Sequence, residues 1–212
     1  LHNNRHSFPT RRSSDLAHFA VPGAHNALNA CAALAALEAL GLDADAAAPA
    51  LAAFHPLPHR LQPLGERDGW QWINDSIATT PEATLAALAS LAGHDVTVIV
   101  GGHDRGVDWS HFVHEEAHAT RLRIVAQGAN GPRIARELRA AGITAPLIET
   151  ATLDAAVAAA RDVTPPGGTI LLSPGAPSFD QFRNYAARGR HFADLAGFDG
   201  ERIAGIPGLG IA

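Results

Sequence analysis

Four short runs centred on apolar residues constrain this chain more than any other feature: 96–100 (VTVIV), 123–127 (RIVAQ), 146–148 (PLI) and 169–172 (TILL). Each is separated from the next by a stretch long enough to hold a helix. A strand that is apolar along its length must be covered on both faces, and strands alternating with helices favour parallel pairing. The reading is therefore an α/β fold with a doubly wound, mostly parallel sheet. Its helices are expected at 81–91, where Pro81 suits a first turn, and at 109–119, 132–141, 153–162 and 179–195. Ahead of them, 61–66 and 70–74 read as two strands turning at Asp68-Gly69, a strong hairpin signal. Further upstream, 17–22 looks extended and a helix is expected from Asn26 to Leu40, closed by Gly41. A second is capped by Asp43 and reaches about Phe54.

In doubly wound sheets, ligands sit beyond the carboxyl ends of the strands. Three Gly- or Ser-rich loops fall at such ends: Asn74-Asp75-Ser76, Gly101-Gly102-His103-Asp104-Arg105-Gly106, and Ser173-Pro174-Gly175-Ala176-Pro177-Ser178. Backbone amides of such loops attract anions. Arg60 and Arg105 add fixed positive charge that can grip a carboxylate or phosphate with two bonds. Asp75 could accept sugar hydroxyls or hold a metal through water. Ser76, Thr79, Thr80 and Ser178 are short hydroxyl donors. Any one loop could be an ordinary turn; three at equivalent sheet ends suit a small anionic substrate beside a nucleotide. Asn26 and Asn29 lie three apart and so share a helix face. Side-chain amides match the donor-acceptor edge of adenine, although Asn26 could equally cap its helix.

Composition narrows the chemistry. All 16 basic residues are Arg, and there is no Met among the 212 residues. Without Lys the chain can form neither a Walker A loop nor a Schiff base. The net charge of -5 argues against a nucleic-acid surface, and no apolar run is long enough for a membrane span. The single cysteine, Cys31, fits a reducing compartment and reads as a helix core residue. His114-Glu115-Glu116-Ala117-His118 matches the zinc-protease pattern H-E-x-x-H. It lies between two expected strands with no third ligand pattern after it, and reads as a solvated helix face, so no metal ligand is assigned. Residues 1–16 (LHNNRHSFPTRRSSDL) carry no apolar period and read as a non-native or disordered tail; a natural Arg/Ser tail for an acidic partner is the competing reading.

The segments His25-Asn26-Ala27-Leu28-Asn29, Leu57-Pro58-His59-Arg60, Trp72-Ile73-Asn74-Asp75-Ser76, Gly101-Gly102, Leu172-Ser173-Pro174, Ser178-Phe179-Asp180-Gln181-Phe182 and Arg188-Gly189 occur in an order that resembles the Mur ligase family. The resemblance covers about residues 17–198. It implies a Rossmann-like doubly wound, mostly parallel sheet, the family's C-terminal domain. The domains it implies are 17–56, the end of a central ATPase domain with linker helices; 57–200, the C-terminal domain; and 201–212, a tail. It implies missing N-terminal and central domains, the latter carrying the P-loop and the metal site with its Mg2+, so the 212-residue chain alone is expected to form no peptide bond.

The activity implied is ATP-dependent addition of glutamate to UDP-N-acetylmuramoyl-L-alanine through an acyl phosphate, in peptidoglycan synthesis in the cytoplasm. By the same resemblance Asn26, Asn29, Arg60 and Asp75 would bind the nucleotide. Thr79, Thr80, Arg105, Ser178 and Phe179 would hold the incoming amino acid, with no catalytic residue in this part. Two positions depart from the D-glutamate-adding pattern: Ile77 and Arg105 stand near places where that pattern has lysine. The spellings around Asn74–Pro81, Gly101–Gly106 and Ser173–Pro177 look more like the sister branch that adds L-glutamate. The rival reading from the sheet alone is a nucleotide-binding regulatory module.

Overall fold

The computed structural model describes residues 24–53, 57–109, 112 and 121–205; of 24–26 and 52–53 it describes the backbone alone. The chain divides into two compact units, meeting in sequence at Pro56 and Leu57. The first contains α1 (Ala24–Ala39), α2 (Ala44–Ala47) and a 3-10 turn over Ala48–Ala53. Gly41 ends α1 with φ +73, while its N–H and that of Leu42 reach back to the carbonyls of Glu38 and Leu37. This is the Schellman closure, which requires a left-handed residue and so favours glycine. Asp43 then caps α2, its Oδ1 accepting from the amides of Asp45 and Ala46 at 3.0 Å each. The expected second helix is thus one α-turn that tightens into 3-10 geometry.

The second unit is built on one six-stranded sheet. Its strands are β1 (Gln62–Arg67), β2 (Trp70–Asn74), β3 (Val96–Val100), β4 (Leu122–Gln127), β5 (Leu147–Thr150) and β6 (Thr169–Leu172), in the order β1-β2-β6-β3-β4-β5. β1 is antiparallel to β2, and every other neighbouring pair is parallel. The β1–β2 turn is the expected one: Asp68 and Gly69 have φ +56 and +84 between the paired Arg67 and Trp70. Two consecutive positive φ values make the tight turn whose twist matches a hairpin.

Alternation along the strands sorts two cores. Val96, Val98, Val100, Leu122, Ile124, Ala126 and Leu171 share one face with Ala87 and Leu88 of α3 (Pro81–Ser90) and with Ile134, Ala135 and Leu138 of α4 (Gly131–Ala140). Trp72, Ile99, Val125, Ile170 and Leu172 face the other way. They meet Leu153, Ala156, Val157 and Ala160 of α5 (Leu153–Val163) and Phe192 of α6 (Tyr185–Leu195). A short α7 (Gly200–Ala204) follows. Strands buried from both sides explain the continuous apolar runs.

In the second unit one expected element also starts elsewhere. The last helix begins at Tyr185 and not at residue 179. The carbonyl of Ser178 accepts from the amides of Gln181 and Phe182, closing a single turn. Asn184 then adopts extended geometry (φ -163, ψ 171), and its side chain accepts from Ala187 N as the true N-cap. An Asn that satisfies a first-turn amide starts a helix where it stands. Most of the helix expected at 109–119, including the His114–His118 match, lies outside the described residues, as do residues 1–16; Trp109 and Phe112 are both buried.

Candidate functional site

The carboxyl ends of β2, β3, β4 and β6 lie side by side in the sheet, so the loops leaving them are neighbours. Hydrogen bonds tie these loops together. Gly101 N donates to Pro174 O at 2.7 Å and His103 N to Pro177 O at 2.9 Å, linking the β3 loop to the β6 loop. Gly102 N donates to Asn130 Oδ1 at 2.8 Å, and Gln127 Nε2 to Gly101 O at 2.6 Å, linking the β3 loop to the end of β4. Gln181 continues the chain: its Nε2 donates to Gln127 Oε1 and its Oε1 accepts from Leu153 N. A β-carbon at Gly102 would lie 2.4 Å from the carbonyl oxygen of Pro177, so this close approach requires glycine.

Beneath the β2 loop is a second buried polar layer. Asn74 uses its whole amide: Nδ2 donates to Gly189 O and to His59 Nδ1, and Oδ1 accepts from Ser76 N. His59 is therefore an acceptor at Nδ1, and burial, aided by Arg190 nearby, pushes it down to about 4, so the ring is neutral near pH 7. Asp75 Oδ1 accepts from Leu61 N and Oδ2 from Ser173 Oγ. With 5% of its surface exposed, its carboxyl is pushed by burial up to about 6, against the opposing pull of these bonds and of Arg60.

Arg188 stands where the three loops meet. Its Nε donates to Ser76 Oγ, its Nη2 to Ser76 O and its Nη1 to Ala176 O, at 2.8–3.0 Å. That Nη1 lies 3.1 Å from where a Gly102 β-carbon would sit. Among the described residues no carboxylate comes within ion-pair distance of it. Burial lowers its pKa to about 10, so it remains a cation at neutral pH.

The residues singled out from the sequence are distributed over this frame. Arg60 is exposed, and its guanidinium has no hydrogen bond or ion pair among the described residues. It sits between His59 (φ +65) and Leu61 (φ +42), two left-handed residues held by Gln62 Oε1 and by Asp75. Such backbone costs of order 1–2 kcal/mol per residue and gathers at ligand sites. Asp75 is a buried buttress whose two oxygens are both engaged by protein donors. Thr79 and Thr80 are half-buried at the entrance to α3, where Thr80 is the N-cap but makes no side-chain capping bond. Arg105 is exposed, and its Nη2 donates to Thr79 O at 3.3 Å. Ser178 is buried with no hydrogen-bond partner for its Oγ, an unmet polar atom that fits a ligand group. Phe179 is 67% exposed, its ring edge-on to His103 at 6.3 Å. Asn26 and Asn29 belong to α1 in the first unit; Asn29 is exposed, and the side chain of Asn26 lies outside the described residues.

No sequence pattern assigns a role to His59, Asn74, Gln127, Asn130, Gln181 or Arg188. Polar residue types read as surface until the fold buries them, so only their neighbourhood in the motifs pointed to them. Among the described residues no three His, Cys, Asp or Glu side chains are placed to hold a metal ion, and no helix is long and apolar enough to cross a membrane.

Fold and loops together define an α/β domain whose strand-end loops carry exposed arginines and one unmet hydroxyl over a buried polar layer. Comparison with known proteins makes the class specific. The family model described as "Mur ligase, glutamate ligase domain" matches residues 59–175. A UDP-N-acetylmuramoyl-L-alanine--L-glutamate ligase of Xylella fastidiosa is 57% identical over 202 residues, covering 93% of this chain and 43% of that protein. A UDP-N-acetylmuramoylalanine--D-glutamate ligase of Symbiobacterium thermophilum is 37% identical over 82% of this chain and 38% of its own length. The solved structure of MurC, a UDP-N-acetylmuramate-alanine ligase of Thermotoga maritima, superposes with a TM-score of 0.61 over 82% of this chain and 38% of that one, at 22% identity, which shows the shared fold. The chain belongs to the Mur ligase family, in its glutamate ligase domain. It spans less than half the length of these relatives.

Proposed function

We propose that this chain is the amino-acid-handling part of an ATP-dependent ligase that joins L-glutamate to UDP-N-acetylmuramoyl-L-alanine. The observation that carries the reading is the 57% identity to a ligase of that name, against 37% to a D-glutamate ligase. The layout of the loops supports it. A dicarboxylate needs a cation and hydroxyl donors, and Arg105, Thr79, Thr80, Ser178 and Phe179 stand around the ends of β2, β3 and β6. ATP supplies the phosphoryl group that activates the acceptor carboxylate. Arg60 takes the nucleotide's phosphates, and Asp75 orders the loop behind it by holding Leu61 N. Asn26 and Asn29, on α1 of the first unit, carry side-chain amides of the kind that pair with an adenine edge. Mg2+ and the P-loop fall to parts of the ligase outside this chain, as does the UDP-sugar.

The chain's residues act by position. Arg105 clamps one carboxylate, the hydroxyls take the other, and the amine is left to face the activated carbonyl. Separate substitutions in the complete ligase test this division. Arg60→Ala is expected to raise the Michaelis constant for ATP tenfold or more, about 1.4 kcal/mol if binding is at equilibrium, and to leave that for glutamate within about twofold. Arg105→Ala is expected to do the reverse. If Arg60→Ala leaves the ATP constant unchanged, Arg60 is structural and the nucleotide assignment fails.

A further inference from the structure

One guanidinium holds both flanks of Arg105. Arg133, in the first turns of α4, donates from Nε to Asp104 Oδ2 at 3.0 Å and from Nη2 to Asp104 Oδ1 at 2.7 Å, a two-bond fork on the residue before Arg105. Its Nη1 donates to Val107 O at 3.1 Å, two residues after Arg105. Asp104 Oδ1 also accepts from Gly106 N at 2.9 Å, closing a side-chain turn across Arg105 itself. Glu137, one helical turn along α4, accepts from Arg133 Nη1 at 3.1 Å and steadies the fork. The bonds to Arg133 and to Gly106 N hold the Asp104 carboxyl below the usual carboxylate range. Arg105 leaves this clamp on the side of the β2 loop, where its Nη2 reaches Thr79 O.

The loop needs such a clamp. Residues 103–106 are exposed and form no helix or strand, and Gly106 sits at φ +67 with open space where a side chain would stand. A loop of that kind samples many conformations unless it is tied down, and an arginine on it would then lose much of its affinity for a ligand to ordering entropy. A planar fork with several donors fixes a backbone where a lysine's single ammonium would not.

We infer that Arg133 is a positioning residue for amino-acid binding: through Asp104 and Val107 it fixes the backbone that presents Arg105 to the substrate's carboxylate. This rests on the proposal that Arg105 binds that carboxylate.

The test is a double-mutant cycle in the complete ligase, read as Michaelis constants for glutamate and ATP beside melting temperature. Arg133→Ala is expected to raise the glutamate constant about tenfold while kcat and the ATP constant move less than about twofold. Arg133→Lys keeps the charge but loses the fork and should recover only part of the loss; Asp104→Asn should resemble Arg133→Ala. Because Arg133 acts through Arg105, Arg105→Ala/Arg133→Ala should be no worse for glutamate than Arg105→Ala alone. The inference is overturned if Arg105→Ala raises the glutamate constant while Arg133→Ala does not, or if the two effects multiply. A lowered melting temperature with an unchanged glutamate constant would make Arg133 structural only. If Arg105→Ala itself has no effect on glutamate, the amino-acid reading falls and the inference falls with it.

Discussion

Arg188 has every guanidinium nitrogen bound to oxygen, yet no carboxylate within ion-pair distance among the described residues. It replaces water for the carbonyls of Ser76 and Ala176, which would otherwise be buried and unmet. Each orphaned group costs about 1–3 kcal/mol, so Arg188→Met is expected to destabilise the chain by about 2–6 kcal/mol in denaturant unfolding; a change below about 1 kcal/mol would mean that water reaches those carbonyls. Asp75 and His59 make an opposed pair. Burial raises the Asp75 pKa to about 6, so its contribution to stability is full below its unfolded value and is lost as pH rises through about 6. Burial lowers that of His59 to about 4, so its contribution is full above 6.5 and is lost as pH falls through about 4. Between pH 4 and 6 the native state holds extra proton at one site and lacks it at the other, and the two slopes offset. The stability of Asp75→Asn relative to the parent chain should therefore rise from pH 4 to 7, and that of His59→Asn should fall. Parallel melting curves across that range check the signs, and equal slopes for both variants would contradict the assignments.

Elements were legible in the sequence where one force acts alone. β3 and β6 are apolar along their length because both faces are covered, and the Asp68-Gly69 turn is set by local φ preference. The start of α6 was not legible, because 179–184 has no Gly or Pro to break a helix, while its side chains are drawn to tertiary partners: Asp180 Oδ2 accepts from Ala129 N, and Gln181 joins Gln127 and Leu153. The loops of the candidate site were readable from Gly and Ser at strand ends, whereas the polar layer beneath them depends on helices far along the chain. Gly189 shows the dependence. It lies in α6, and a β-carbon there would fall 2.3 Å from His59 Nδ1 and 3.0 Å from Asn74 Nδ2. Gly189→Ala should gain helix propensity but lose more to crowding, a net cost of about 1–3 kcal/mol. A rise in melting temperature would show that His59 can move aside freely.

At the scale of the molecule, the sheet of the second unit brings distant segments of the chain to one edge, while the first unit carries α1 with Asn29 exposed. Parallel topology was predictable from the strand-helix rhythm, and the order β2-β6-β3-β4-β5 was not, because β6 inserts between β2 and β3 for reasons that no local pattern encodes. That insertion sets the Ser173–Ser178 loop between the Asn74–Ser76 and Gly101–Gly106 loops, and the glutamate proposal depends on it. In that proposal Ile77, half-buried beside the β2 loop, is a β-branched wall without charge, and the exposed Arg105 of the β3 loop is the cation for one carboxylate. Inverting the α-carbon of glutamate moves its carboxylates to different partners while the amine must still face the acyl carbon. The most direct test is a paired assay of the complete ligase with UDP-N-acetylmuramoyl-L-alanine and ATP, with L- or D-glutamate under identical conditions and the product identified by mass. The expected result is a glutamyl product formed preferentially from L-glutamate; strong preference for D-glutamate, or no glutamyl product from either, would contradict the account.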